Sequence, residues 1–177
     1  RISVVATVLN EEQSIADLLG SLFSQTKKPN EIIIVDGGSG DETVELIKEF
    51  KQKYDKQSII RIIETKGTNR PEGRNRGIGA ATADIIAITD AGCVLDRKWL
   101  EEIIAPFRNQ RIDVVSGYYK TKSSSVFGRC MGIYTLVMPD KVDPQQFLPS
   151  ARSMAVRKRV WREIGGFPED FPFNEDY

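Results

Sequence analysis

Ile32-Ile33-Ile34-Val35-Asp36-Gly37-Gly38-Ser39-Gly40-Asp41 decides the architecture of this chain. Four β-branched residues in succession leave no polar face, so the strand they form is apolar on both sides. Such a strand belongs inside a parallel sheet covered by helices. It ends at an acid followed by three glycines, where a ligand can come close to the backbone. Asp41 and Thr43 then start a polar helix that buries Val44, Ile47 and Phe50.

The same rhythm extends in both directions. Upstream, Ile2–Leu9 reads as a strand. Ser14 caps a helix with Asp17 at its third position and one apolar face of Ile15, Leu18, Leu19, Leu22 and Phe23. Downstream come a strand at Ile59–Ile63, a helix rich in small residues (Gly73, Gly77, Gly79, Ala80, Ala81) and a strand at Ile85–Thr89. Asp96 caps a helix carrying Leu100, Ile103, Ile104 and Phe107, and Asp113–Tyr119 is a fifth strand. Strands alternating with helices predict right-handed crossovers and an open, mostly parallel sheet in a three-layer α/β/α, Rossmann-like arrangement. Ligands of such sheets bind at the carboxyl ends of the strands, near the point where strand order reverses.

After Lys120 the pattern changes. Ser123–Ser125 is a linker. Val126–Met138 is an apolar helix, read as buried, with a helix lying on a bilayer as the alternative. Ser150–Val156 is a strand, Arg159–Ile164 a short helix ended by Gly165 and Gly166, and the tail from Phe167 to Tyr177 a loop. The chain is one domain over 1–177, with a ligand-binding part at 1–120 and a second part at 121–177.

Composition narrows the chemistry. With 177 residues, 40% of them hydrophobic, the chain can build a real core. Lys+Arg and Asp+Glu balance at 25 each, which gives no bulk electrostatic reason to bind nucleic acid. Local clusters exist at Lys66, Arg70, Arg74 and Arg76, and at Arg152, Arg157, Lys158, Arg159 and Arg162; together they could serve one anionic ligand or be solvated surface. The absence of histidine removes His-based triads and His-ligated zinc. Cys93 and Cys130 stand in no paired motif. No signal peptide or apolar span opens the chain, which predicts a cytoplasmic location.

Two carboxylates terminate strands. Asp36 is placed to accept from a base or ribose. Asp90, in Thr89-Asp90-Ala91-Gly92, ends a strand read as its neighbour. Two such acids side by side need a ligand hydroxyl or a cation between them, and Mg²⁺ suits oxygen ligands and a diphosphate. Arg74, near a helix start, suits a phosphate, with an ion pair to Glu72 or another acid as the alternative. Asn174-Glu175-Asp176 closes the chain with two acids.

In this order, these segments resemble the family-2 glycosyltransferases of the GT-A fold. Val4-Val5-Ala6-Thr7-Val8-Leu9-Asn10-Glu11-Glu12 is similar to the family's opening strand and turn. Ser21-Leu22-Phe23-Ser24-Gln25-Thr26 resembles its first-helix ending, and Ile34–Ser39 with Asp41 and Thr43 its base-binding segment. Gly73-Arg74-Asn75-Arg76-Gly77 resembles its Ala-Arg-Asn-x-Gly helix. Ala155-Val156-Arg157, Ile164-Gly165-Gly166-Phe167-Pro168-Glu169 and Glu175-Asp176 resemble its acceptor-side signature. The resemblance implies a nucleotide-diphosphate-sugar donor, a saccharide or lipid-linked acceptor, and transfer with inversion. It places Thr7, Leu9, Glu11, Asp36, Gly37 and Ser39 around base and ribose, and Arg74, Asp90 and Ala91 near the nucleotide. Asp176 becomes the catalytic base, with Glu175 beside it. It also implies a divalent cation, Mg or Mn, at Asp90, and further segments past Tyr177; peripheral contact with the cytoplasmic face of a membrane goes with the bilayer-lying alternative for Val126–Met138. One departure stands out: the family's Asp-x-Asp reads Asp90-Ala91-Gly92 here, so the second acid is missing. A catalytically inactive nucleotide-sugar-binding module is the alternative function. A nucleotidyltransferase would need a glycine-rich loop after the first strand, where this chain has Asn10-Glu11-Glu12.

Overall fold

The computed structural model describes residues 1–121, 125–135, 141–143 and 150–170. Its strands are β1 (Ile2–Val8), β2 (Glu31–Asp36), β3 (Ile60–Glu64), β4 (Ile85–Asp90), β5 (Val114–Ser116) and β6 (Ser153–Arg157). The helices are α1 (Ile15–Phe23), α2 (Thr43–Tyr54), α3 (Arg70–Ala80), α4 (Trp99–Ile104, continued by a 3₁₀ turn at Ala105–Arg108), α5 (Val126–Thr135) and α6 (Lys158–Glu163).

β2 is buried along its whole length, as its unbroken apolar run requires. The six strands form one sheet in the order β3-β2-β1-β4-β6-β5. β1 to β4 are mutually parallel, and β6 runs antiparallel to both β4 and β5. Side chains alternate between two cores. Val4, Ala6, Val8, Ile32 and Ile34 pack on the α1 side with Leu18, Leu19 and Leu22. Val5, Ile33, Val35, Ile86 and Ile88 pack on the other side with Ile78 of α3.

Strand order reverses between β1 and β4, so the carboxyl ends of these two strands open the binding crevice. The order also corrects one expectation. β1 stands between β2 and β4, with Val8 opposite Asp36 and Thr7 opposite Asp90. Asp36 and Asp90 are therefore two strand spacings apart, about 10 Å along the sheet, and do not sit side by side.

Other boundaries moved for identifiable reasons. The fifth strand ends at Ser116 because its partner β6 begins at Ser153; Gly117 N–H makes a last bond to Ser153 O at 2.7 Å. Residues 150–152 form a turn rather than strand, closed by Ser153 N–H to Ser150 O at 3.0 Å. Ser14 does not cap α1 with its side chain; its hydroxyl donates to the Glu11 carboxylate instead. The helix expected over 126–138 is described to Thr135, and Val126, Phe127 and Met131 on it are exposed rather than buried. No helix among the described residues is long and apolar enough to cross a membrane.

The small residues of α3 explain how closely it lies on the sheet. A Cβ at Gly77 would stand 2.5 Å from Val5 Cγ1 and 3.1 Å from Val35 Cγ2, both deep in the core. Gly79 faces the opposite way, with only Trp161 Cη2 near, at 3.8 Å. Gly77→Ala should therefore destabilise the fold by about 2 kcal/mol. Gly79→Ala should stay within about 0.5 kcal/mol of the natural chain. Paired urea melts check the contrast.

Glu31, at the start of β2, ties β1, β2 and the end of α3 together. It accepts from Ser3 Oγ at 2.6 Å, Thr82 N–H at 2.5 Å and Thr82 Oγ1 at 2.7 Å, with Arg61 Nη1 at 3.5 Å. Burial pushes its pKa up, but these hydrogen bonds and the Arg61 charge together outweigh burial and hold the carboxyl below its ordinary value. A depressed folded-state pKa stabilises above the unfolded value and loses that contribution as pH falls through the folded one. Glu31→Gln should thus cost about 1–2 kcal/mol at neutral pH, with the difference fading in acid below the ordinary carboxylate range, as read by urea melts across pH.

Candidate functional site

The carboxyl ends of β1 and β4 open into a cleft of about 1420 Å³. One wall comes from Thr7, Leu9 and Glu11 at the end of β1, with Gly37 and Thr68 beneath. The other comes from Asp90, Ala91 and Gly92 after β4, closed by Tyr119, Lys120 and Arg152.

The β1 side is a stitched pair of loops. Asn10 adopts the left-handed conformation, φ 55°, which turns the chain sharply after the strand. Its N–H donates to Ser39 Oγ at 2.9 Å, and its side-chain oxygen accepts from Gly40 N–H at 2.9 Å. Glu11 N–H donates to Thr43 Oγ1 at 2.7 Å, and Glu12 N–H to Asp41 Oδ2 at 3.1 Å. Asp41 also accepts from Thr43 N–H at 3.1 Å, so it organises the start of α2. Leu9 is left with 53% of its surface exposed in the cleft, an apolar platform beside the polar Glu11.

Asp36 works from behind this wall. It is buried, and its carboxylate accepts from Gly38 N–H at 2.9 Å, Ser39 N–H at 3.1 Å and Ser39 Oγ at 2.5 Å. Gly38 takes φ 103°, which only glycine adopts at low cost, to bring its N–H round. The expectation that Asp36 accepts from a base or ribose meets a carboxylate already committed to its own loop. Neither Asp36 nor Ser39 lines the cleft; Gly37, between them, does. A Cβ there would meet Thr68 O at 3.0 Å, so the 36–38 turn and the 65–68 loop lie backbone to backbone.

Arg74 also departs from expectation. It is buried to 1% exposure and donates from Nη2 to Asp90 Oδ1 at 2.9 Å. A guanidinium so placed fixes Asp90 from below and has no open path to a phosphate. Its partner is an acid, but a distant one; Glu72 instead closes a capping box with Asn69 at the start of α3. Sulfur is also disposed of. Burial pushes the Cys93 thiol up, and the neighbouring Asp90 charge adds to it, so the thiol is a poor nucleophile at neutral pH.

The second basic cluster disperses. Arg157 donates to the Ile112 and Phe107 carbonyls, buried Lys158 to the carbonyls of Gly79 and Ala81, and Arg159 pairs with Asp113. Arg152 alone of that group lines the cleft.

Asn75 is a node that sequence reading did not single out. Its side-chain oxygen accepts from Trp161 Nε1 at 3.0 Å and Phe167 N–H at 2.8 Å, while its nitrogen donates to Phe167 O at 2.8 Å and Glu169 Oε1 at 2.9 Å. Through it α3 holds the Gly165-Gly166-Phe167-Pro168-Glu169 loop. The Asn75 and Phe167 positions inside the matching motifs were the available signal. Glu175 and Asp176 lie outside the described residues.

A model of the family described as glycosyl transferase family 2 matches residues 3–161. The chain belongs to that family. Glycosyltransferase AglE of Haloferax volcanii is 27% identical over 172 residues, which are 94% of this chain and 56% of that protein. A poly-beta-1,6-N-acetyl-D-glucosamine synthase of Staphylococcus epidermidis is 30% identical over 134 residues, 75% of this chain and 32% of the synthase. Among solved structures, mannosyltransferase PcManGT from Pyrobaculum calidifontis in complex with GDP-Man and Mn²⁺ aligns with a TM-score of 0.76 at 21% identity, over 99% of this chain and 50% of that one. S. aureus TarS 1–349 in complex with UDP aligns with a TM-score of 0.72 at 20% identity, over 99% and 52%. These likenesses establish the GT-A fold. The chain spans about half the length of AglE and of these two solved structures, and about a third of the synthase.

A divalent cation held by this family-2 site would need free carboxylate oxygens after β4. Asp90 presents Oδ1 to Arg74 and Oδ2 to Arg152 Nε, 3.7 Å away. Gly92 brings no side chain, and Asp96 accepts from Lys98 N–H at 2.9 Å. Among the described residues no group of three or more His, Cys, Asp or Glu side chains could hold a metal ion. Among the described residues, this donor set does not fit a protein-held divalent cation.

Proposed function

We propose that this chain is an inverting, nucleotide-sugar-dependent glycosyltransferase, or its catalytic domain. It moves a sugar, hexose-type, from a nucleotide-diphosphate-sugar to the hydroxyl of a saccharide or lipid-linked acceptor. The observation that carries the reading is the cleft at the strand-order reversal, with an apolar and acidic β1 wall facing a β4 wall that bears cations. Leu9 offers its exposed surface to the base, and Thr7 and Glu11 offer oxygens to base and ribose. The close 36–38 and 65–68 turns shape the pocket floor, with Asp36 holding the first of them in place. Ala91 and the rim after β4 border the diphosphate.

Asp176 is the general base of this reading. Its carboxylate takes the proton of the acceptor hydroxyl as the oxygen attacks the anomeric carbon from the face opposite the diphosphate, which inverts that carbon. Glu175 supports its charge state. The positive charge developing on the sugar ring makes the transition state oxocarbenium-like, and cationic side chains offset the charge growing on the leaving diphosphate. The named relatives, transferases and a synthase, do not favour the inactive-module alternative. Action at the cytoplasmic face of a membrane fits a lipid-linked acceptor and the exposed Val126 and Phe127 of α5.

A thermal-shift screen against UDP-, GDP- and dTDP-sugars tests the proposal. A ligand of the folded state raises the melting temperature with occupancy. One sugar nucleotide should do so well beyond its free sugar; no shift with any of them would overturn the reading.

A further inference from the structure

The acid that ends β4 is held between two guanidinium groups, Arg74 from the core and Arg152 from the cleft. The position of Arg152 follows from strand register. Thr89 pairs with Ser153 across antiparallel β4 and β6, so Asp90 and Arg152, the next residues outward, face each other at the rim. Arg152 Nε lies 3.7 Å from Asp90 Oδ2, and its guanidinium stands over the Tyr119 ring at 5.6 Å. Its neighbours Ala151 and Ser153 are buried, while its own side chain is 54% exposed. The base of the side chain is thus fixed, and about half of the side chain's surface stays open at the cleft. Lys120 lines the cleft as well, as do the acids Glu11 and Asp17 on the β1 and α1 side and Asp96 after β4.

Gly92 completes the picture. A Cβ there would meet nothing within 4 Å, and its backbone is not left-handed. Packing does not demand glycine. What glycine does is leave position 92 without a carboxylate, so that Arg152 rather than a second acid stands beside Asp90; the next acid in the cleft lining is Asp96.

We infer that Arg152 takes the place of the divalent cation: the diphosphate of the donor binds its guanidinium, oriented by Asp90 and Tyr119, and donor binding needs no metal. A guanidinium fork matches phosphate oxygens with two parallel hydrogen bonds. It also supplies positive charge where the leaving diphosphate gains negative charge. This inference rests on the nucleotide-sugar reading of the cleft.

Calorimetric titration of UDP and GDP, in EDTA and in millimolar Mn²⁺, separates the possibilities. The natural protein should bind one of them with the same Kd in both solutions, within about threefold. Arg152→Gln should weaken that binding about tenfold or more in both, and Arg152→Lys should recover part of it. Thermal melts should leave both variants folded, since the side chain is half exposed. Gly92→Asp puts a second carboxylate into open space and should make binding about tenfold tighter with Mn²⁺ than with EDTA. Natural protein that binds only with Mn²⁺, or an Arg152→Gln variant that binds as well as the natural chain, overturns the inference while leaving the nucleotide-sugar reading intact. No binding in either solution overturns both.

Discussion

Asp176→Asn is expected to lower the rate of sugar transfer by about 10²–10⁴-fold while leaving the nucleotide Kd within about twofold of its natural value. The asymmetry is what a general base predicts. Its proton transfer occurs on the acceptor hydroxyl, on the far side of the sugar from the diphosphate, so the amide removes a step without touching the donor's anchor. Glu175→Gln should cost under about tenfold if its role is to support the neighbouring charge. Transfer rates at saturating donor, measured beside nucleotide titrations, check both. A kcat unchanged by Asp176→Asn would remove Asp176 from the mechanism.

The second large effect is on stability. Asp90→Ala removes the carboxylate that meets Arg74 Nη2 at 2.9 Å, with the guanidinium 1% exposed. Losing one member of a buried ion pair costs up to about 3–5 kcal/mol. Asp90 keeps 23% of its side-chain surface exposed, so the lower end, about 3 kcal/mol, is expected. For a chain of this size that is a fall in melting temperature of roughly 6–12 °C. Asp90→Asn retains an acceptor for Arg74 Nη2 and should lose about half as much. A shift below about 1 kcal/mol for the alanine variant would mean that Arg74 does not depend on Asp90. The distinction matters because the same carboxylate orients Arg152 over the cleft.

The contrast between Asp36 and Asp90 shows what was legible before the structure. Asp36 follows four apolar β-branched residues, and that run alone placed it at the end of a buried parallel strand. The helices around it announced themselves by apolar spacing, and the crevice followed from strand–helix alternation. Which strands lie side by side is a non-local property. No local pattern says that β1 separates β2 from β4, or that β6 inserts antiparallel beside β4. Arg152 was therefore visible only as one of five basic residues in a row of segments. Its place opposite Asp90 needs the Thr89–Ser153 register. The burial of Arg74 was hidden for a related reason: a charged residue near a helix start is normally at the surface, and the close seating of α3 on Val5 and Val35, through Gly77, carries it inside. Asp36 could be placed but its bonds could not, because they depend on Gly38 turning its N–H back to the carboxylate. The acceptor side was the least readable, being built from loops tied to α3 by Asn75 rather than from regular elements.

A sugar nucleotide bound where the strand order reverses would cover the ends of β1 and β4. Hydrogen–deuterium exchange on the protein, with and without the sugar nucleotide that most raises its melting temperature, tests this directly. Binding should slow exchange at the end of β1 and its turn, residues 7–11, in the 65–70 loop and in the 91–96 loop after β4, and leave the shallow groove around Leu22, Phe23 and Ile59 unchanged. Protection confined to that groove, with the ends of β1 and β4 exchanging as before, would place the sugar nucleotide elsewhere.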